Sequence, residues 1–171
     1  MAILTQSVLI IGLLFAPPAL VASGPENRLE YQVKAAFLYN FLKFVDWPEA
    51  AGDTPLVICV LGRDPFGGLL EDAVRGKKVN GHDVLVRHAA RASDAQSCQI
   101  LFVPNGEFRR SGVHTQQGVL MVGESAGFLD AGGVIDFYID NDRVRFEIRP
   151  ESARTAGLHI SAQLLKLGSS R

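Results

Sequence analysis

The sequence predicts an α/β protein: a mostly parallel mixed sheet, covered by helices on both faces, that closes on a C-terminal antiparallel hairpin. Three observations carry this. Short, continuous apolar runs recur along the chain, LVICVL at Leu56–Leu61, ILFV at Ile100–Val103 and VLMV at 119–122, and such runs belong to strands buried on both faces. Helical stretches separate them, the pattern of parallel strands joined by crossovers. Near the C-terminus the pattern changes to strict alternation on either side of Asp140-Asn141-Asp142, which reads as a hairpin.

The chain has 171 residues, 47% apolar and 20% charged, enough to bury a core of its own and too apolar for a disordered segment. Seventeen Lys and Arg against eighteen Asp and Glu leave a formal charge of −1. A nucleic-acid binder carries a basic surplus, and so does a basic membrane-surface protein; neither class fits. Residues 1–25 contain no Lys, Arg, Asp or Glu, and an apolar core at 8–15 leads through Pro17-Pro18 to the small residues Ala19 to Ser23. This reads as a secretory signal peptide over 1–23, cleaved near Ala22 or Ser23, because the apolar run is too short for a membrane span of about 20 residues. The expected location is the periplasm, with a single domain over 26–171.

The elements follow in order. Residues 26–45 have a helical period, with Leu29, Val33, Ala36, Phe37, Asn40, Phe41 and Phe44 on one face. Glu30 and Lys34 are spaced i,i+4 on a more polar side, and Trp47-Pro48 ends the helix. Leu56–Leu61 is the first buried strand. A helix is expected over 66–74, opened by Asp64 as N-cap and by Pro65, and ended by Gly76. Residues 84–87 form a second strand and Ile100–Val103 a third. A weak helix over 107–117 is interrupted by Gly112, and 119–122 is a fourth buried run. In the hairpin, Ile135, Phe137 and Ile139 lie on one face of the first strand and Val144, Phe146 and Ile148 on one face of its partner, with Arg143, Arg145, Glu147 and Arg149 on the other. Short helices over 151–156 and 161–167, separated by Gly157, close the chain.

Several motifs invite a chemical reading. Gly62-Arg63-Asp64-Pro65-Phe66-Gly67 has the glycine spacing of a phosphate loop, but Gly68 and Leu69 stand where Lys and Ser or Thr are required, so no nucleotide-hydrolysing loop is expected. Gly123-Glu124-Ser125-Ala126-Gly127 matches a nucleophile elbow, with Asp130 or Asp136 and then His159 downstream. An elbow must lead into a helix; here Gly132-Gly133 and a strand arrive first, which leaves a Ser125 hydrolase as a remote alternative. His82, His88, His114 and His159 lack metal-ligand spacing, and no metal or cofactor is expected. Cys59 lies inside the first strand and Cys98 just before the third. An even cysteine count in an exported domain favours a disulfide, and the two meet if those strands are neighbours; two reduced thiols are the other reading. The segment from Tyr31 to Trp47 carries more aromatics than one buried stripe needs. Leu38, Tyr39, Leu42 and Trp47 are therefore expected in a dimer or partner contact.

These landmarks together resemble the YfiR family. The residues that carry the resemblance are Tyr31-Gln32-Val33-Lys34-Ala35-Ala36-Phe37 running on to Phe41-Leu42-Lys43-Phe44-Val45 with Trp47-Pro48, then Cys59-Val60-Leu61-Gly62 and Cys98-Gln99-Ile100-Leu101-Phe102. Gly127-Phe128, Gly132-Gly133, Arg143-Val144-Arg145-Phe146-Glu147-Ile148, Ala153-Arg154 and Gly157-Leu158-His159-Ile160-Ser161 complete it. The resemblance implies a periplasmic regulator and not an enzyme. Its best-understood member represses an inner-membrane diguanylate cyclase through that enzyme's periplasmic part, lowering cyclic di-GMP and biofilm formation, and is itself sequestered by an OmpA-like outer-membrane lipoprotein. The family implies a homodimer and a disulfide at Cys59 and Cys98; a second cysteine pair of that member has no counterpart here. Arg154, His159 and Ser161 occupy family-typical positions and are candidates for an anionic ligand or partner carboxylate. A periplasmic small-ligand sensor is the alternative function.

Overall fold

The computed structural model describes residues 25–47, 54–112 and 114–168; the expected signal peptide lies outside them. Helix α1 (Pro25–Phe44) runs into a two-residue strand β1 (Val45–Asp46). There follow β2 (Leu56–Leu61), α2 (Leu69–Val74), β3 (Lys78–Val79) and β4 (His82–Ala89), then a 3₁₀ turn (Ala92–Ser97) and β5 (Ile100–Val103). The chain continues through α3 (Phe108–Ser111), β6 (Leu120–Gly123), β7 (Ile135–Asp140) and β8 (Arg143–Ile148) to α4 (Pro150–Thr155), β9 (His159–Ile160) and α5 (Ala162–Leu167).

The main sheet has seven strands in the order β3-β4-β2-β5-β6-β7-β8. The five from β4 to β7 are mutually parallel, and β3 and β8 pair antiparallel at the two edges. The expected fold class is therefore the observed one. The three apolar runs are wholly buried strands, as expected of a sheet whose two faces are both covered. The hairpin turns at Asn141 and Asp142, both with positive φ, a turn whose twist matches that of the flanking strands.

The two faces are covered unequally. Leu56, Ile58, Val60, Ile100, Phe102, Leu120 and Val122 face a large core with α1, α2, α4, α5 and the hairpin. Phe41 of α1 meets Phe146 of β8 edge-on at 5.2 Å, within a cluster that also takes in Phe37 and Phe137. Val57, Cys59, Leu61, Leu101, Val103 and Met121 face a smaller core roofed by the 3₁₀ turn, by Phe108 of α3 and by Phe128 and Leu129. The Cys59–Cys98 disulfide lies here, joining β2 to the residue two before β5, with Cα atoms 5.9 Å apart.

Four expectations are corrected. The buried stripe of α1 is Lys34, Ala35, Leu38, Phe41 and Leu42, continuing into Val45, so the helix is rotated from the expected setting: Leu29 and Ala36 face solvent. Lys34 sits in the middle of the buried face because its ammonium meets the carboxylates of Glu30 and Glu124. Leu38 and Leu42, expected at a partner contact, are in consequence fully buried and present nothing to another molecule. Asp64 does not cap α2, which begins at Leu69 after Gly68; its carboxylate instead accepts from the N–H groups of Phe66 and Gly67, at 2.8 and 3.0 Å, folding the preceding loop. The helix expected over 107–117 is the single turn α3, stopped by Gly112 in the left-handed conformation.

Candidate functional site

In the strand order β4-β2-β5-β6-β7 the chain reverses direction across the sheet between β2 and β5. The segment after β2 leads to α2 on the larger core, and the segment after β5 leads to α3 on the smaller one. The two connections therefore part company at the carboxyl ends of β2 and β5, and a crevice opens between them, as it does at the switch point of open parallel sheets. A cavity of about 500 Å³ occupies that place, lined by Arg63, Asp64, Asn105, Glu107, Arg110 and Glu124, with Asn27 and Tyr31 of α1 above.

Its floor is a buried polar network. Glu124, at the end of β6, has a side chain only 5% exposed. One carboxylate oxygen accepts from the Tyr31 hydroxyl at 3.0 Å and from the Asn105 backbone N–H at 2.9 Å; the other takes the Lys34 ammonium. Burial, and then the negative charge of Glu124, hold the Tyr31 phenol well above its ordinary range, so it stays a hydrogen-bond donor. Below, Asp136 at the start of β7 accepts from the Ser125 N–H at 3.1 Å. Burial pushes its carboxyl up to about 6, against the lowering effect of that hydrogen bond.

The walls have a tight point. Gly62 follows β2 with φ +65°, and a Cβ there would stand 2.5 Å from the Glu107 carboxyl carbon. The missing side chain is what lets Glu107 close over the end of β2. Glu107 is 3.9 Å from Arg110.

The residues singled out from the sequence are distributed differently. Cys59 and Cys98 are bonded to one another. Tyr39 is half-buried, its hydroxyl 3.4 Å from the Lys78 carbonyl and its ring beside the Lys43 and Lys77 ammoniums; Trp47 is half-buried and donates to the Leu42 carbonyl at 3.1 Å. Arg154, His159 and Ser161 each have a separate structural partner. Arg154 pairs with Glu151 at 2.9 Å, His159 Nδ1 lies 3.0 Å from Asp46 across the β1–β9 pair, and the Ser161 hydroxyl caps α5 by accepting from the Leu164 N–H. The hydrolase constellation is not assembled: the Ser125 hydroxyl is 3.5 Å from the Asn105 side chain, Asp130 pairs with Arg149, and His159 is engaged by Asp46. The sequence reading missed the roles of Tyr31, Lys34, Glu107 and Glu124. The signal that could have found them was the neighbouring of the first and third strands, which already implied a switch point.

Among the described residues no three His, Cys, Asp or Glu stand together as a metal site, and no helix is long and apolar enough to cross a membrane. The fold is a mixed α/β sheet stapled by a disulfide, with an open polar cleft at its switch point. The chain belongs to the YfiR/HmsC-like family, whose model matches residues 31–169. It is thereby a protein of a regulatory, periplasmic type, and the disulfide accords with an oxidising compartment. Among solved structures it is similar to a conserved domain protein from Vibrio cholerae O1 biovar El Tor, at 10% identity and a TM-score of 0.49, over 82% of this chain and 59% of the other. The chain thus spans little more than half the length of that protein. No curated protein matches.

Proposed function

We propose that the protein is a periplasmic repressor that binds the periplasmic part of an inner-membrane diguanylate cyclase, lowering cyclic di-GMP and biofilm formation. It works as a homodimer and is sequestered by an OmpA-like outer-membrane lipoprotein. Family membership supports this reading, and one surface carries it. The core-facing side of the hairpin outruns its helical cover: Ile135 and Phe137 are buried with their partners Ile148 and Phe146, but Ile139, opposite Val144, is 51% exposed. Beside it a groove of about 390 Å³ lies between α1, α5 and the hairpin, lined by Phe37, Val144, Phe146 and Leu167 with Tyr138, Asp140 and Arg145 at its polar side, and Leu167 is 64% exposed. Exposed apolar surface grouped in this way marks an interaction site. The edge strand β8 also brings Arg143 and Arg145 to this end of the sheet. The fitting occupant is an apolar segment bearing carboxylates, here assigned to the cyclase's periplasmic sensor.

Such a partner is inhibited only if the repressor prefers one of its two conformations. In the host, deleting the gene should raise cyclic di-GMP, and Ile139→Asp with Leu167→Asp should do the same while leaving the purified protein folded. An unchanged level in the deletion strain overturns the reading; a folded double variant that still represses overturns the assigned surface.

A further inference from the structure

We propose that the cleft at the carboxyl ends of β2 and β5 is a binding site for a small hydroxylated anion, one carrying a phosphate or carboxylate group together with hydroxyls. This goes beyond the docking surface on the hairpin and does not depend on it. The cavity, at about 500 Å³, is in the size range of small-molecule sites and lies where open parallel sheets place them.

The groups that the protein leaves uncommitted select the ligand. Two of the cleft's three carboxylates are engaged inside the protein: Glu124 by Tyr31, Asn105 and Lys34, and Asp64 by the N–H groups of its own loop.

 Glu30, at the edge of the floor, is taken up by Lys34 as well. Glu107 is what remains, and its contact with Arg110 is long at 3.9 Å. Against this one carboxylate stand two exposed guanidiniums, Arg63 and Arg110, and Arg63 forms no ion pair among the described residues. The groups left free to take a ligand are therefore chiefly the two guanidiniums. Guanidinium forks match the paired oxygens of phosphate and carboxylate, so Arg63 and Arg110 receive the anionic group. Glu107, held over Gly62 at the throat of the cleft, is an acceptor and suits the ligand's hydroxyls.

The test is calorimetry on the purified, disulfide-intact protein with glucose 6-phosphate, gluconate and glucose as probes. Saturable binding of at least one of the two anions is expected, with none of glucose; which anion binds decides between a phosphate and a carboxylate head group. Arg63→Gln and Arg110→Gln should each weaken binding by about 10-fold, equivalent to ~1.4 kcal/mol, while Arg143→Gln on the distant edge strand leaves it unchanged. Glu107→Ala should weaken the hydroxylated anion and not inorganic phosphate. Failure of both anions to bind, binding that survives both arginine substitutions, or an equal loss in Arg143→Gln would overturn the site. An equal effect of Glu107→Ala on both phosphates would overturn the part assigned to Glu107. None of these readouts involves the cyclase, so they stand or fall apart from the repressor reading.

Discussion

Replacing Lys34 by Met should cost this protein about 3 kcal/mol, at the lower end of the 3–5 kcal/mol typical when one partner of a buried ion pair is removed. Lys34 is 3% exposed, and Glu124, which it neutralises, is nearly as inaccessible. The methionine fills much the same volume, so the loss is electrostatic: a carboxylate is left in the interior without its counter-charge. Two features hold the cost down. Glu124 keeps its hydrogen bonds from Tyr31 and the Asn105 N–H, and bonds to a charged group contribute about 1.5–3 kcal/mol each. Glu30, the second partner, has a side chain 31% exposed and turns to water at little cost. A second substitution separates this account from simple loss of packing. Glu124→Gln in the Lys34→Met background removes the stranded charge but keeps an acceptor for Tyr31 and Asn105, and should recover more than half of the loss. Urea denaturation of the disulfide-intact protein measures both differences, with an unchanged m value as the sign that the same structure unfolds. A Lys34→Met loss below about 1 kcal/mol, or a double variant less stable than the single one, would refute the reasoning.

Two further outcomes follow from the structure. The Cys59–Cys98 bond spans a sequence separation of 39, and the chain-entropy relation gives roughly 4 kcal/mol for a ring of that size; Cys59→Ala with Cys98→Ala should lower stability by up to that amount, and two titratable thiols in the native protein would contradict the bond. Asp136, with its carboxyl pushed up to about 6 from an ordinary 3.8, binds its proton more tightly folded than unfolded. Its contribution to stability is complete below about pH 4 and is lost as pH rises through about 6. The stability of Asp136→Asn relative to the parent should therefore rise between those values, and a difference that stays flat across that window in denaturation midpoints would remove the assignment.

The strands and the hairpin were legible in the sequence because burial on two faces and burial on one face leave different marks. Leu56–Leu61, Ile100–Val103 and the run at 119–122 show no alternation, since both sides of each strand meet a core. The residues of β7 and β8 alternate because one side of the hairpin faces outward. The disulfide followed in part from the same reading, for a cysteine within β2 and one just before the neighbouring β5 are brought together by the order of the sheet. Short pairings were not legible. Strands β1 and β9 are two residues each and join positions as far apart as Val45 and Ile160, and two residues are too few to show a period.

The setting of α1 needed the folded molecule. Hydropathy counts Lys34 as a surface residue, so the apolar period runs through Leu29, Val33 and Phe37 and sets Leu38 and Leu42 apart as apparent surface. What turns the helix is the carboxylate of Glu124, ninety residues away, which makes it favourable for Lys34 to face inward and carries Leu38 and Leu42 into the core. The cleft has the same character. Its groups come from α1, from the connections after β2 and β5, and from the end of β6. No local spacing announces them, because their neighbourhood is created by the reversal of strand order between β2 and β5. Amino-acid pattern determines which segments are buried and on how many faces, since that depends on each segment's own side chains. Which charge is neutralised by which, and where a cavity opens, depends on segments distant in the chain, and only their packing brings those together.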